Sequence, residues 1–451
     1  KMAFTIENTL NRSIGPSSKT EFEAGGFSYD QLVYNLTGVR SVEMASLSSP
    51  VNVAVGAEAR REGYKLFAGE PDSYRFGGVM LPNGLPAPPG QVFPGFRPAN
   101  ESNTHRTAIG AFVDVEANLT KELLASVAVR GEHYSDFGDS LAGKLALRYD
   151  FNKAFALRAS AQNGFRAPSP QQQNFTTTST NFINGVPFEI TTFKPNDPVA
   201  VALGAKPLDA EKSLNASLGA VMRFGTVNVT VDAYRIDIED RIILSENLTA
   251  ANVRDFIQAQ GFVGVGGGRF FINGVDTSTR GVDVVVSWPM NMGGAGKFDF
   301  TVAGNFTDTE VTKVPVTAQL SALSPAPSLF DRLNVLSLEK GQPANKLNAN
   351  INWKLGQWGA TFRATRYGKV LSPGTTAALD FEMGAQTVVD LEARYAVTPQ
   401  LNLAIGADNV FDEYPEALPP ALNTTGNAAF ANYAPYGRSG RFIYARAAYS
   451  F

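Results

Sequence analysis

The residues able to do covalent or metal chemistry are few. The 451-residue sequence has no cysteine and two histidines, which removes thiolate nucleophiles, disulfides and cysteine metal sites. His105 and His133 share no metal-ligand spacing, and no metal site is expected from them. His133 beside Ser135 and Asp136 is too local to supply a nucleophile, a base and an orienting acid from separate elements. The sequence contains no Gly-x-Ser-x-Gly, no His-Glu-x-x-His and no dinucleotide fingerprint. The Gly-rich run from Gly264 to Phe271 follows no strand and lacks the Gly-Lys-Ser/Thr of a phosphate cradle, so it reads as a flexible loop. No enzymatic activity and no cofactor are expected.

Residues suited to non-covalent binding are more plentiful. Phe175, Phe182, Phe188 and Phe193 fall in one long loop segment, Phe270 and Phe271 close another, and Tyr433, Tyr436 and Arg438 lie in the last. Rings so placed could grip a bulky ligand, or could pack the loops onto themselves. Asp114, Glu116, Asp390, Glu392, Arg394 and Arg446 alternate with apolar residues and could line a solute path or hold a partner by ion pairs. The competing reading is a solvated wall stabilised by cross-strand pairs. With 39 basic against 42 acidic side chains and 18% charged residues, there is no basic footprint for nucleic acid.

The elements that must position these residues are strands. Leu347, Ala349, Ile351, Trp353 and Leu355 alternate with Lys346, Asn348, Asn350, Asn352 and Lys354, a period of two that no helix would carry. Ile109 to Leu119, Val389 to Val397 and Ile443 to Phe451 repeat the pattern. Sixteen strands are expected, near 2–11, 32–44, 51–67, 104–119, 122–136, 139–150, 153–164, 209–223, 226–241, 277–289, 297–309, 345–355, 358–369, 384–397, 400–411 and 438–451. In strand 226–241 the phase slips between Val231 and Ile236, which implies a bulge or a strand that outruns its apolar band.

Connection lengths separate a soluble sandwich from a membrane barrel. Tight turns at Thr398, Gly356, Gly225, Asn152 and Thr120 alternate with long connections near 71–103, 166–208, 242–276, 310–344, 370–385 and 412–437. Such loops far exceed the about 4 to 6 residue median of compact domains. An outer-membrane barrel accounts for them, with short periplasmic turns, long extracellular loops and an apolar face toward lipid. Trp288, Trp353 and Trp358 fall beside the short turns, where an aromatic girdle belongs. No apolar run approaches the about 18 residues of a membrane-spanning helix. The fold class is therefore all-β, a transmembrane antiparallel β-barrel occupying residues 1–451 as one domain.

Four segments carry a resemblance to one family. Asn163-Gly164-Phe165-Arg166-Ala167-Pro168-Ser169, Leu208-Asp209-Ala210-Glu211-Lys212-Ser213, Asp408-Asn409-Val410-Phe411-Asp412-Glu413-Tyr414 and the closing strand from Gly440 to Phe451 stand in order. The set resembles the TonB-dependent outer-membrane receptors, with Ala210 where that family usually has Pro. The segment Glu132 to Asp139 is similar to a hairpin of the family's iron-complex branch.

The resemblance covers the chain as the C-terminal part of such a receptor. It implies a 22-stranded barrel whose first strands and plug domain lie on a missing or separate segment, since the sequence opens inside a strand. It also implies coupling to the inner-membrane TonB complex through that segment, and import of a scarce bulky nutrient, foremost a ferric siderophore or other iron chelate. Oligosaccharide, cobalamin or another organic solute are alternative cargoes. The competing readings are a passive 16-stranded porin and a barrel that anchors or secretes a partner protein. Expected partners are the plug, a small-molecule ligand, and outer-membrane lipid including lipopolysaccharide, in a Gram-negative cell outer membrane; nucleic acid is not among them. A terminal aromatic assembly signal would fall on Phe451.

Overall fold

Side chains that alternate along a strand sort onto two faces only if neighbouring strands keep register. The computed structural model describes residues 2–7, 10–82, 87, 94–183, 186–263, 265–423 and 429–451, with the side chains at 6, 7 and 180–189 outside that set. In chain order the strands are β1 (Met2–Glu7), β2 (Glu21–Val42), β3 (Val51–Phe67), β4 (Ser102–Asn118), β5 (Leu123–Tyr134), β6 (Gly138–Asn152) and β7 (Phe155–Arg166). A loop hairpin follows, β8 (Thr177–Ile183) and β9 (Val186–Phe193). Then come β10 (Glu211–Phe224), β11 (Val227–Leu244), β12 (Gly268–Asn291), β13 (Lys297–Lys313), β14 (Asn345–Leu355) and β15 (Trp358–Tyr367). A second loop hairpin, β16 (Val370–Ser372) and β17 (Phe381–Met383), precedes β18 (Gln386–Ala396), β19 (Leu401–Asp408) and β20 (Phe442–Tyr449).

Among the described residues, sixteen of these strands pair antiparallel with their neighbours, β7 joining β10 and β15 joining β18 past the loop hairpins. The sixteen match the expected segments with shifted ends. β2 starts at Glu21, well before position 32, and β12 runs back to Gly268. Both extensions stand on the long-loop rim. In the described residues β20 pairs only with β19, and residues 28–42 of β2 pair only with β3, so the sheet has two free edges.

Register separates the faces as the alternation requires. Val55, Val113 and Val129 stand side by side across β3, β4 and β5 and are each nearly half exposed. Three residues along, Glu58 and Glu132 flank Gly110 on the opposite face. Apolar outside and polar inside is the pattern of a sheet between lipid and a wet lumen. In β11 the register is unbroken from Asn228 to Ile238, so the slip at Val231 to Ile236 is not a bulge. The strand outruns its apolar band, and the outward row passes from Val231 and Ala233 to Arg235 and Asp237. The register shift comes later, between Ile238 and Arg241, where Asp240 takes φ of 53°.

Short turns gather at one rim and are closed by their own side chains. The Thr120 hydroxyl accepts from the Glu122 and Leu123 amides, and that of Thr398 from Gln400 and Leu401. Gly225 and Gly356 take φ of 60° and 56°, which glycine adopts without strain. Rings cluster here: Trp288 lies 5.7 Å from Phe300, Trp358 4.7 Å from Tyr395, and Tyr149 4.7 Å from Phe151. The Trp353 indole donates to the Ala295 carbonyl at 2.7 Å. This is an aromatic girdle, with amphipathic rings at the interface level.

Candidate ligand vestibule

Among the described residues the long-loop rim carries five short helices: α1 (Pro170–Asn174), α2 (Pro198–Ala202), α3 (Ala251–Ala259), α4 (Ala318–Ser321) and α5 (Arg332–Lys340). All of these starts except that of α3 carry a side-chain cap. Asp197 accepts from the Val199 amide, Thr317 from Leu320, and Asp331 from Asn334. Three loops then fuse into one apolar core of Phe193, Val199, Leu203, Leu248, Val253, Ile257, Phe270, Leu320 and Leu329. Residues 268–270 of β12 pair in parallel with 191–193 of β9, and Thr317 donates to the Leu203 carbonyl at 2.9 Å. The result is a packed cap above the barrel wall; the Gly-rich run, expected to be a flexible loop, instead begins β12 at Gly268, and Gly264 lies outside the described residues.

This cap redistributes the aromatic candidates. Phe193 and Phe270 are buried in its core and present no surface to a ligand, because the apolar area of three loops is removed from water together. Phe175 is partly buried, edge-on to Phe96 at 6.1 Å, and Phe271 is half-buried on β12 opposite Leu244. Phe182 and Phe188 lie on β8 and β9 with side chains outside the described set. In the last loop the Tyr433 hydroxyl meets that of Ser337 on α5 at 2.7 Å, and its ring packs with Val370 and Met383. Tyr436 donates to the Tyr414 carbonyl at 3.2 Å, with its ring 5.7 Å from Tyr367. Burial beside Glu413 and Glu416 pushes its hydroxyl pKa up. Arg438 donates to the Ala431 carbonyl at 2.9 Å. All three therefore tie the last loop in place.

Two carboxylates at the long-loop rim have opposite environments. Glu246 is half-buried beside Asp331, and both effects push its pKa above the usual carboxylate value. The Asp331 amide donates to Glu246 at 3.4 Å and the Asn334 side chain also reaches it. Asp380 is clamped by Arg332 at 2.6 and 2.9 Å and by the Gly374 amide at 3.0 Å. Those bonds pull it down to about 2.

The sequence motifs meet at strand ends. Arg166 forms an ion pair with buried Glu211, so the first two motif segments join across β7 and β10, and Glu211 also accepts from the Ile242 amide at 2.7 Å. Where β6 and β7 diverge, the Asn163 amide substitutes for a missing ladder rung, accepting from Gly143 and donating to Leu141. Phe165 stands edge-on to Tyr134 at 6.2 Å, and the Pro168 carbonyl accepts from buried Arg106. A side chain on Gly164 would press on the Ser213 hydroxyl.

In the third segment Asn409 and Asp412 take φ of 52° and 60°. The Asn409 side chain bonds both amide and carbonyl of Glu413, and Asp412 accepts from the Arg441 amide at 2.7 Å. Gly440, at φ of 68°, leaves no room for a Cβ against the Tyr414 hydroxyl. Phe411 and Phe451 are exposed.

The lumen wall holds what sequence reasoning missed. Arg106 and Glu62 are buried and paired at 2.6 Å, with Tyr29 donating to Glu62 at 2.6 Å and Asp136 at 3.4 Å from Arg106. Their inward parity was readable, but their opposition depends on a register the sequence does not state. Asp114 and Glu116 share this inward face, half-buried. Across β14 to β20 a recess of about 540 Å³ is lined by Asn350, Arg363, Asp390, Glu392, Arg394 and Arg446 among others. Glu392 receives Arg446 at 3.1 Å, Arg394 at 3.5 Å and the Tyr444 hydroxyl at 2.9 Å. Asp390 lies 3.8 Å from Arg363 and accepts from the Asn409 amide at 2.9 Å. Among the described residues no group of three or more His, Cys, Asp or Glu is disposed to hold a metal. The arrangement can conduct and hold polar solutes or a polar partner surface.

Residues 6–410 match the family described as TonB dependent receptor-like, beta-barrel. The ferric enterobactin receptor PirA of Pseudomonas aeruginosa is 23% identical over 457 aligned residues, covering 99% of this chain and 54% of that protein. The crystal structure of the siderophore receptor PirA from Acinetobacter baumannii superposes with a TM-score of 0.61 at 16% identity, covering 94% of this chain and 55% of that one. A variant of the ferric enterobactin receptor PfeA of Pseudomonas aeruginosa, in complex with enterobactin, gives a TM-score of 0.63 at 14% identity, covering 94% and 55%. The chain thus spans about half the length of these relatives. By the family match across most of its length, the chain belongs to the TonB-dependent receptors, as an outer-membrane β-barrel.

Proposed function

We propose that this chain forms most of the barrel of an energised receptor that imports a ferric siderophore across the outer membrane. The carrying observation is the match over 99% of the chain to a ferric enterobactin receptor. The two free sheet edges support the companion expectation that further strands complete the barrel, because an unpaired backbone in lipid costs several kcal/mol per group. A 16-stranded porin would instead pair β20 with β1, and β20 has only β19 beside it among the described residues. A plug supplied by another segment, coupled to the TonB complex, would face the ion-paired lumen wall. The domain is accordingly read as a single barrel portion over residues 1–451.

The test is uptake of radiolabelled ferric catecholate by iron-starved cells carrying the full receptor, with and without collapse of the proton-motive force. Uptake that stops on collapse is the expected result. Uptake indifferent to collapse would establish a passive pore. Energised uptake of cobalamin or an oligosaccharide, with none of the ferric chelate, would move the cargo to another class.

A further inference from the structure

Among the described residues, four long connections meet on one helix. α5 lies between β13 and β14, and its N-cap Asp331 follows closely on Leu329, which is buried in the cap core. The Asn334 side chain reaches Glu246 of the β11 to β12 connection, and the Asp331 amide donates to the same carboxylate at 3.4 Å. Arg332 grips Asp380 at 2.6 and 2.9 Å and donates to the Gly374 carbonyl at 2.9 Å, both between β16 and β17. Farther along, the Ser337 hydroxyl donates to the Leu333 carbonyl at 2.6 Å, so it accepts from Tyr433 of the last loop at 2.7 Å. The Tyr433 ring also closes on Gly341, where an added Cβ would lie 3.1 Å from it. Glu339 accepts from the Val311 amide of β13 at 2.9 Å.

What holds this helix differs from what holds the cap. No residue of α5 is buried, so no apolar stripe removed from water fixes it in one seat. At about 100° per residue, the Asn334 and Ser337 ties leave one side of the helix, and the Arg332 and Glu339 ties leave the opposite side. These bonds are directional, and each neutral one makes only a modest net contribution. The nine-residue helix is thus a stiff rod slung between partners on both sides. A rod so held shifts as a unit when one partner moves, and a contiguous chain of bonds passes that shift to the others. On one end of the chain stands Tyr433, packed with Val370, Met383 and Ala431. On the other stand Glu246 and Leu329, whose backbones are joined at 3.1 Å.

We propose that α5 couples the last loop to the cap, through the Tyr433 to Ser337 hydrogen bond on one side and through Glu246 and Leu329 on the other. For the import proposed above, cargo that displaces the last loop would also change how readily the cap opens. That consequence rests on the import reading, whereas the coupling is a property of the folded loops alone.

The experiment is hydrogen exchange read by mass spectrometry on the full receptor without cargo, so its result stands apart from that of uptake. Tyr433→Phe removes the hydroxyl and keeps the ring, and Ser337→Ala removes the same bond from the helix side. Each should lower protection by about threefold to tenfold, the scale of one hydrogen bond, in peptides covering 429–438 and also in 246–262 and 314–331 of the cap. The double variant should lower cap protection no further than the stronger single, because both delete one bond. Tyr436→Phe loosens the last loop by removing its bond to the Tyr414 carbonyl. It should lower cap protection while Ser337 is present and have no further effect on the cap after Ser337→Ala. Heat-modifiable mobility on gels verifies folding of each variant. Loss confined to 333–340 and 429–438 would overturn the coupling. So would cap losses that add in the double variant, or a response of the cap to Tyr436→Phe that is absent with Ser337 in place or persists without it.

Discussion

Phe270→Ala tests whether the extracellular loops form one cooperative cap. The ring is wholly buried among residues contributed by three loops, beneath Phe193, Leu203, Leu248 and Ile257. Its backbone bonds to Ser245 remain in the variant, since they use only the amide and carbonyl. The loss is therefore one of packing, about 3 to 5 kcal/mol for a buried Phe cut to Ala. None of those neighbours lies in the lipid-spanning part of the sheet, so the cost falls on the opening of the cap and leaves the barrel unaffected. At 1.4 kcal/mol per factor of ten, amide protection should fall by about a hundredfold to a few thousandfold, bounded by the cap's own opening free energy. Hydrogen exchange read by mass spectrometry on peptides covering 191–205, 246–262 and 314–331 should show the three segments losing protection together. Loss confined to the peptide containing position 270 would refute a single cap. Equal loss in β4 and β5 would refute its independence from the wall.

Val113→Arg places a charge on the lipid face and should cost about 2 to 4 kcal/mol near the midplane in refolding titrations, whereas lumenal Asn350→Ala should be mild; equal tolerance would reverse the assigned faces. Gly440→Ala forces a Cβ into a left-handed turn against Tyr414 and should loosen the last loop by about 1 to 2 kcal/mol, read as faster proteolysis between 412 and 441. Because Glu246 has its pKa raised in the folded state, its contribution is complete below the unfolded value and is lost as pH rises through the folded one. Cap protection should thus increase on acidification toward pH 5, and Glu246→Gln should flatten that dependence. The Asp380 tie to Arg332 has the opposite sign, present above the unfolded value near 3.8 and lost as pH falls to about 2; protection of residues 374–380 should collapse only there.

How much was legible depends on the kind of signal. The strict alternation from Lys346 to Leu355 produced β14 with every parity retained, because lipid and lumen impose opposite demands on successive residues. The slip at Val231 to Ile236 was equally real, but periodicity alone could not tell a bulge from a strand that outlasts its membrane band. Phe193 and Phe270 were visible as loop aromatics, but nothing local reveals that residues so far apart in the chain would bury one another. Helices as short as α2 and α4 carry almost no period, and only their caps at Asp197 and Thr317 could have marked them. The Arg106 and Glu62 pair needed a register that emerges only when the sheet assembles.

The fused cap alters how selectivity at the entrance can operate. Loops that are disordered until cargo arrives would subtract the entropy of their ordering from affinity, residue by residue. In the three loops that share the cap core, the described residues are already packed together. For the import proposed above, discrimination would rest on surfaces already folded in these loops, and a cargo that cannot reach them would gain nothing from them. Evolution toward a new cargo would proceed by resculpting those surfaces, one at a time.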